Sequence, residues 1–433
     1  MRPEKICVLG MGFVGLTLSA VLADKKFLVT GVEVNKHIAA QLQRGEPHFH
    51  EKGLDVLLKK HIGKTLFIAT EVPKEQYDVY VIAVGTPIDK QTKKPMLDYV
   101  INSAMSIKDV LTDGCLVILR STVPVGVTRS VVKPILDQSG KKYHLAFCPE
   151  RTAEGRAIVE LRELPQIIGG LTTECVDKAM DLFRVLTPAT VEVSSLEAAE
   201  MVKHINNAYR DLTFAFANEM ALVCEKVGLN ALDVIKAANC GYGRSNVPVP
   251  GFVGGACLEK DPHILMDFSA AHGYTPMLVK SSRHINETLP SHIVQKALSK
   301  LHAVGKDMRY AKVFVSGFAF KGQPETDDVR DSSTLRLLDA LRAAGVTTIY
   351  GHDFVVSPMV IKNLHVIPCS LEEGFDGADC VFIANNHKSY YDLNIEKYLV
   401  MMRKPAVFMD CWQIFDREFC TVPGINWGGI GFD

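Results

Sequence analysis

The feature that most restricts the fold lies near the start of the chain. An apolar run, Ile6 to Leu9, passes into Gly10-Met11-Gly12-Phe13-Val14-Gly15, and Leu16 to Ala23 continues with helical character. A second apolar run, Leu28 to Val32, ends in Glu33, eighteen residues after the last glycine. Strand, G-x-G-x-x-G turn, helix, strand and acid in this register form a βαβ unit. Its glycines give a tight turn and let backbone approach a pyrophosphate at the helix N-terminus, and its acid receives ribose hydroxyls. Gly10, Gly12, Phe13, Val14, Gly15 and Glu33 are therefore candidate dinucleotide contacts. A carboxylate at position 33 repels a 2′-phosphate and no arginine directly follows it, so NAD is expected rather than NADP. The same residues have a second reading as a secretory signal, with Arg2 and Lys5 ahead of an apolar run ending in Ser19-Ala20-Val21-Leu22-Ala23. The βαβ register accounts for more of them.

Further apolar strands follow, each opening into polar residues. Val79 to Val84 leads to Gly85-Thr86-Pro87, Leu116 to Leu119 to Arg120-Ser121-Thr122-Val123-Pro124-Val125-Gly126, and His144 to Phe147 to Cys148-Pro149-Glu150-Arg151. Ligands of a doubly wound sheet lie beyond the carboxyl ends of its strands, so Thr86, Thr122 and Glu150 are expected to face one crevice. Taken singly, each is ordinary loop chemistry.

From Glu197 to Val227 there is no proline or glycine, and apolar residues recur at Val202, Ile205, Tyr209, Leu212, Phe216, Met220 and Val223 before Gly228 stops the run. One helix over this stretch spans about 45 Å. Lys203 and Asn207 lie four apart on one of its faces, with Asp211 a turn further on. Periodicity alone leaves that polar stripe as either a solvated face or the wall of a site. More helix is expected over Leu232 to Ala238 and from Pro262 to about Ala303. Between them, Gly251 to Asp261 reads G-F-V-G-G-A-C-L-E-K-D. Thiol Cys257, ammonium Lys260 and carboxylate Asp261 share a small-residue loop, the composition of a reacting site. The alternative is a surface turn with a buried structural cysteine.

A third segment begins near Met308. Val313 to Ser316, Thr348 to Tyr350 (followed by Asp353), Val381 to Ala384 and Val407 to Met409 read as strands and Ser332 to Ala344 as a helix. Between its first strand and helix lie Gly317-Phe318-Ala319-Phe320-Lys321-Gly322 and Thr326-Asp327-Asp328-Val329-Arg330-Asp331-Ser332-Ser333. The serines and Asp331 suit a helix N-cap, and Lys321 and Arg330 are the cations that a phosphate-bearing ligand needs. The fold class is thus α/β, with two Rossmann-like doubly wound domains joined by a long central helix and a helical bridge. The expected domains are 1–195, 196–305 and 306–433. Their number agrees with 433 residues at roughly 100–200 residues per domain. Forty-eight basic against 49 acidic side chains leave a net charge of -1, which gives no field for nucleic acid or an anionic membrane. Eleven cysteines with no C-x-x-C pair argue against a disulfide framework and a structural zinc site, so no metal is expected and a reducing cytoplasm is the expected setting.

Six segments in order give a resemblance over nearly the whole chain. They are Gly10 to Gly15 with Glu33; Ser121 to Gly126; Pro149-Glu150; Lys203-x-x-x-Asn207 continuing to Asn218-Glu219; Gly254-Gly255-x-Cys257-x-x-Lys260-Asp261; and Gly317-x-x-Phe320-Lys321 with Asp327 to Ser332. The chain resembles the UDP-glucose/GDP-mannose dehydrogenase family, in which NAD twice oxidises the C6 alcohol of a nucleotide sugar to give a uronic acid. The resemblance implies that Cys257 captures the C6 aldehyde and that Lys203 and Asn207 stabilise oxyanions. It further implies that Asp261 holds or activates water and that Glu150 is base in thioester hydrolysis with Thr122 positioning its water. It assigns Thr86 and Thr122 to the cofactor side, Arg330 to the cofactor or the closed domain interface, and Glu150, Arg151, Lys203, Asn207, Gly254, Lys260, Phe320 and Lys321 to the UDP-sugar. Two departures stand out: Glu259 where much of the family has proline, and Glu33 where it often has aspartate. Pro149 to Arg156 with Leu164 to Gly170 look more like the branch acting on UDP-N-acetylhexosamines, so UDP-N-acetyl-D-mannosamine is the expected substrate. UDP-glucose or UDP-N-acetylglucosamine, a two-electron β-hydroxyacid dehydrogenase and a non-enzymatic NAD-binding regulator are the alternatives. A homodimer or higher homo-oligomer through the long helix is expected, since its apolar positions spread over more than one stripe.

Overall fold

The computed structural model describes residues 5–416 and 422–433. Arg2, one half of the basic pair ahead of the first apolar run, lies outside them. The chain divides into two compact units, Met1–Asn206 with His263–Tyr274 and Asn207–Pro262 with Thr275–Asp433.

The first unit carries an eight-stranded sheet of β1 (Lys5–Leu9), β2 (Leu28–Val32), β3 (Leu66–Ala69), β4 (Val79–Ile82), β5 (Leu116–Leu119), β6 (His144–Phe147), β7 (Gln166–Gly170) and β8 (Thr190–Glu192). Its order is β3-β2-β1-β4-β5-β6-β7-β8, parallel except where β7 runs antiparallel to β6. Strands covered on both faces read as continuous apolar runs. Alternate residues of β1 feed two cores, Ile6 and Val8 on one face and Cys7 and Leu9 on the other. The chain changes direction across the sheet between β3 and β4, so the crevice beyond the carboxyl ends of β1 and β4 is the switch point of this unit. The helix Phe13–Asp24 is buried from Gly15 to Ala23. That enclosure is why it is apolar all round and has the look of a secretory signal.

The second unit repeats the plan with β9 (Val313–Ser316), β10 (Ile349–His352), β11 (Ile367–Pro368), β12 (Cys380–Ile383), β13 (Ala406–Asp410) and β14 (Ile425–Gly429). All pairings are parallel, in the order β11-β10-β9-β12-β13-β14. The expected pair of doubly wound α/β domains with a helical region between them in the sequence is present. The long helix runs Leu196–Lys226, followed by Ala231–Asn239. The helix expected from Pro262 to about Ala303 is present as two segments, Asp261–Ala271 and Met277–Ala303. Gly273 takes the left-handed conformation (φ +77) and Pro276 sits at the N-cap of the second helix. The helix Ser333–Ala343 starts as its sequence suggests, with the Ser332 hydroxyl accepting the Thr334 N–H. No helix among the described residues is long and apolar enough to cross a membrane.

Candidate active site

The three glycines of the first turn do three different things. Gly10 has φ +90, which only glycine adopts without strain, and its N–H donates to the Val32 carbonyl. A side chain on Gly15 would overlap the Gly10 carbonyl, whereas one on Gly12 would meet nothing within 4 Å. Close helix packing and an open approach to the helix N-terminus are what a pyrophosphate needs. Phe13 stacks on Phe49 at 3.9 Å between centroids, and Phe13 and Val14 are half-buried at the first helical positions. Glu33 folds back on the turn, Oε2 accepting the Met11 N–H (3.3 Å) and Oε1 the Asn35 N–H (2.9 Å). These residues fit the dinucleotide expected of them.

Beyond β4 and β5 the Thr86 hydroxyl donates to the Thr122 carbonyl at 2.5 Å, which ties the two loops together. The Thr122 segment is further fixed from the long helix. Buried Glu200 accepts the Gly126 and Thr128 N–H groups and the Thr128 hydroxyl, and His204 Nε2 donates to the Val123 carbonyl at 2.7 Å. Glu150 is buried. Its Oε2 accepts Arg120 Nε (3.2 Å) and Nη2 (2.7 Å), and its Oε1 accepts the N–H groups of Arg151 (2.7 Å) and Thr152 (2.8 Å). Burial pushes its carboxyl up, but the Arg120 charge, the Thr152 N–H and the Lys203 charge hold it below the ordinary value. Lys203 Nζ donates to the Glu150 carbonyl at 2.7 Å. Arg151 donates to the Pro165 carbonyl, joining the two segments that carry the N-acetylhexosamine resemblance.

The second unit holds the thiol loop. Cys257 is exposed, so the alternative of a buried structural cysteine is not met. Its carbonyl accepts the Asp261 N–H at 2.9 Å and the Lys260 N–H at 3.3 Å. Asp261 is buried, taking Asn207 Nδ2 on one oxygen and Lys260 Nζ on the other, each at 2.5 Å. Gly254 and Gly255 lie against Asp331, Ser333 and the Phe320 ring, where any side chain would overlap them, and the Gly255 N–H donates to the Asp331 carbonyl. Lys321 Nζ stands 5.3 Å from the Phe320 ring centroid. Arg330 is exposed and makes a two-pronged pair with Asp328. Asp353, which follows β10 as Glu33 follows β2, accepts four backbone N–H groups, from Phe318, Ala319, Val355 and Val356. With its acceptor sites filled it has none left for a ribose.

The polar stripe of the long helix is not a solvated face, since Glu200, Lys203, Asn207, Asp211 and Asn218 are all buried. Sequence reasoning passed over Arg120, Glu200, Asn218, Glu259, Arg283 and Asn286 as working residues. Glu200 and Asn218 continue the Lys203, Asn207, Asp211 stripe at helical spacing, a signal that was readable. Arg120 and Arg283 are paired by the fold alone.

Models of the UDP-glucose/GDP-mannose dehydrogenase family match in three segments: the NAD binding domain over residues 4–187, the central domain over 197–288 and the UDP binding domain over 314–417. The UDP-N-acetyl-D-mannosamine dehydrogenase of Campylobacter jejuni is 32% identical over 91% of this chain and 98% of its own. Among solved structures, the UDP-D-ManNAc dehydrogenase of Pyrococcus horikoshii superposes with a TM-score of 0.89 at 29% identity, covering 99% of each chain. The UDP-glucose dehydrogenase of Pyrobaculum islandicum gives 0.87 at 26%, covering 100% of this chain and 98% of its own. Together with the dinucleotide turn and the thiol loop, these matches make the chain a member of the UDP-glucose/GDP-mannose dehydrogenase family and an NAD-dependent nucleotide-sugar dehydrogenase.

Proposed function

We propose that this dehydrogenase oxidises the C6 alcohol of UDP-N-acetyl-D-mannosamine by four electrons to the uronic acid, with Cys257 as nucleophile. The observation that carries the reading is the exposed Cys257 thiol on a loop whose neighbours, Asp261 and Asn207, are buried and mutually bonded. Bound NAD supplies the electron acceptor for each two-electron oxidation. After the first, the Cys257 sulfur adds to the C6 aldehyde carbon and the carbonyl oxygen takes up a proton, giving a thiohemiacetal. The second converts this adduct to a thioester; water then adds at the same carbon, the C–S bond breaks, and the acid leaves with the thiol restored.

Lys203 and Asn207, one helical turn apart, stabilise the oxyanions of these steps, and Asp261 orients Asn207 and Lys260. Glu150 takes part as a fixed anion; to accept a proton from water, with Thr122 positioning that water, it must exchange one of its four donors. Arg151 and Gly254 serve the sugar side, Lys260, Phe320 and Lys321 the nucleotide sugar, and Thr86 and Arg330 the cofactor side. The division into 1–195, 196–305 and 306–433 belongs to the same reading, supported by the three matched segments. The N-acetyl-D-mannosamine assignment is supported by the Campylobacter relative and by the Pro149 to Arg156 segment. The test is NADH formed per acid on UDP-N-acetyl-D-mannosamine, UDP-N-acetylglucosamine and UDP-glucose. Two NADH per acid are expected, and one NADH with release of the aldehyde as end product overturns the four-electron reading.

A further inference from the structure

Position 259, where the resemblance sets a proline, carries a glutamate that is only 8% exposed. Its Oε2 accepts Arg283 Nη1 at 2.9 Å, and its Oε1 accepts Arg336 Nη2. Arg283 is itself 2% exposed and continues to Asp211 on the long helix, Nε to Oδ2 at 2.9 Å. Asn286 Nδ2 donates to the same Asp211 (2.9 Å), and its Oδ1 accepts Asn218 Nδ2 at 3.0 Å. Asn218 then closes on the first residue of the thiol loop, donating to the Gly251 carbonyl at 3.0 Å and accepting the Gly251 N–H at 2.9 Å. One buried chain of hydrogen bonds therefore runs from Gly251 to Glu259 and pins the loop that carries Cys257 on both sides of the thiol. Its anchors Asp211 and Asn218 share a helix face with Asn207, which holds Asp261 at the loop's far end.

Three carboxylates, Glu259, Asp211 and Glu287 (3.5 Å from Arg336), face the guanidiniums of Arg283 and Arg336, and the contacts of Glu259 and Asp211 with Arg283 are charge-assisted hydrogen bonds in a buried setting. A proline stiffens a loop through its ring. Here a side-chain clamp reaches the same end from outside the backbone. We propose that Glu259 is the positioning residue of the nucleophile, and that the Arg283–Glu259–Arg336 clamp fixes the turn presenting Cys257. The proposal rests on the reading of Cys257 as nucleophile. It predicts a selective defect: the first oxidation, of alcohol to aldehyde, does not use the thiol, whereas capture of the aldehyde does.

The experiment uses the full-length protein with Glu259→Gln, Arg336→Gln on the half-exposed arm of the clamp, and Cys257→Ala as reference. In single turnovers the first NADH should form at the parent rate, and the second should slow about tenfold or more in Glu259→Gln, because small misplacements of a reacting group cost rate steeply. Arg336→Gln should show the same pattern more weakly. Amide exchange should rise at least about tenfold over residues 251–261 and stay at the parent level in both sheets. Equal slowing of both NADH phases, or exchange raised throughout the protein, would mean a general stabilising role and overturns the proposal. So does a Glu259→Gln protein with parent exchange in the loop and parent kinetics. If Cys257→Ala keeps a parent second phase, the nucleophile reading fails, while the loop-exchange result still decides the clamp; should Glu259→Gln fail to fold, Arg336→Gln carries the decision.

Discussion

Cys257 and Glu150 pose the two questions that single residues can answer. Cys257→Ser should reduce steady production of the acid by orders of magnitude while leaving substrate and cofactor binding nearly intact. A serine hydroxyl lacks the thiolate fraction of a cysteine, and the oxygen ester it would form is a slower acyl donor to water. A burst of about one or two NADH per site followed by near silence, with added mass on the peptide containing residue 257, is the expected signature. Turnover near the parent rate would remove Cys257 from the mechanism. At Glu150 the sign of a pH effect is diagnostic. Its folded carboxyl lies below the ordinary value, so it contributes stability above the unfolded carboxylate range that is lost as pH falls through the folded value. Arg120→Met leaves a buried carboxylate without its guanidinium and should cost about 3–5 kcal/mol at neutral pH. With Arg120 gone, burial dominates and the folded value rises above the unfolded one. The folded state then holds the extra proton, and stability should fall as pH rises through the unfolded carboxylate range, the reverse of the parent slope. Urea unfolding of parent and variant between about pH 3 and 8, which spans the unfolded carboxylate range, measures it; parallel slopes would show that Arg120 does not set the Glu150 charge.

The long helix Leu196–Lys226 presents two stripes that its sequence hardly separates. One is polar and buried, from Glu200 to Asn218, and holds a loop in place within each unit, the Thr122 segment in the first and the thiol loop in the second. The other is apolar and exposed, with Ile205 at 57%, Tyr209 at 65%, Phe216 at 49% and Val223 at 52%. Their spacing of four, seven and seven residues sets them on one line of the helix, the pattern of a seam that another helix can fill. A symmetric homodimer through this stripe is the expected assembly. Light scattering at micromolar concentration should give twice the chain mass, and Tyr209→Glu with Phe216→Glu should halve it. A fully active monomeric parent would rule the dimer out.

At the scale of the molecule, the sugar is not encoded in the fold. Relatives named for UDP-D-ManNAc and for UDP-glucose superpose on this chain almost equally well, with TM-scores of 0.89 and 0.87. Selectivity is then expected to sit in a few side chains, and the Arg151 tie to the Pro165 carbonyl holds together the two segments that carry the N-acetylhexosamine resemblance. The value of kcat/KM for UDP-N-acetyl-D-mannosamine should exceed that for UDP-glucose by about tenfold or more, the scale that a few pocket contacts give; a preference for UDP-glucose would overturn the branch assignment and leave the family intact. The chain's own letters determined the first βαβ unit, the long helix, the strands β4, β5, β6 and β9 and the thiol loop. Each of these rests on local rules: a glycine needed at a turn, a period of 3.6, or an apolar run buried on both faces. The break between Ala271 and Met277 is also written locally, in Gly273 and Pro276, among the helix formers around it. Short strands such as β8 and β11 exist because their neighbours pair with them, which no window of sequence contains. The same holds for charge. Whether Glu150, Asp211 and Glu259 are solvated or buried, and which arginine answers each, depends on residues 30, 72 and 24 positions away respectively. Only the packed chain brings those partners within reach, and burial makes a pair necessary, because an unpaired charge does not survive away from water.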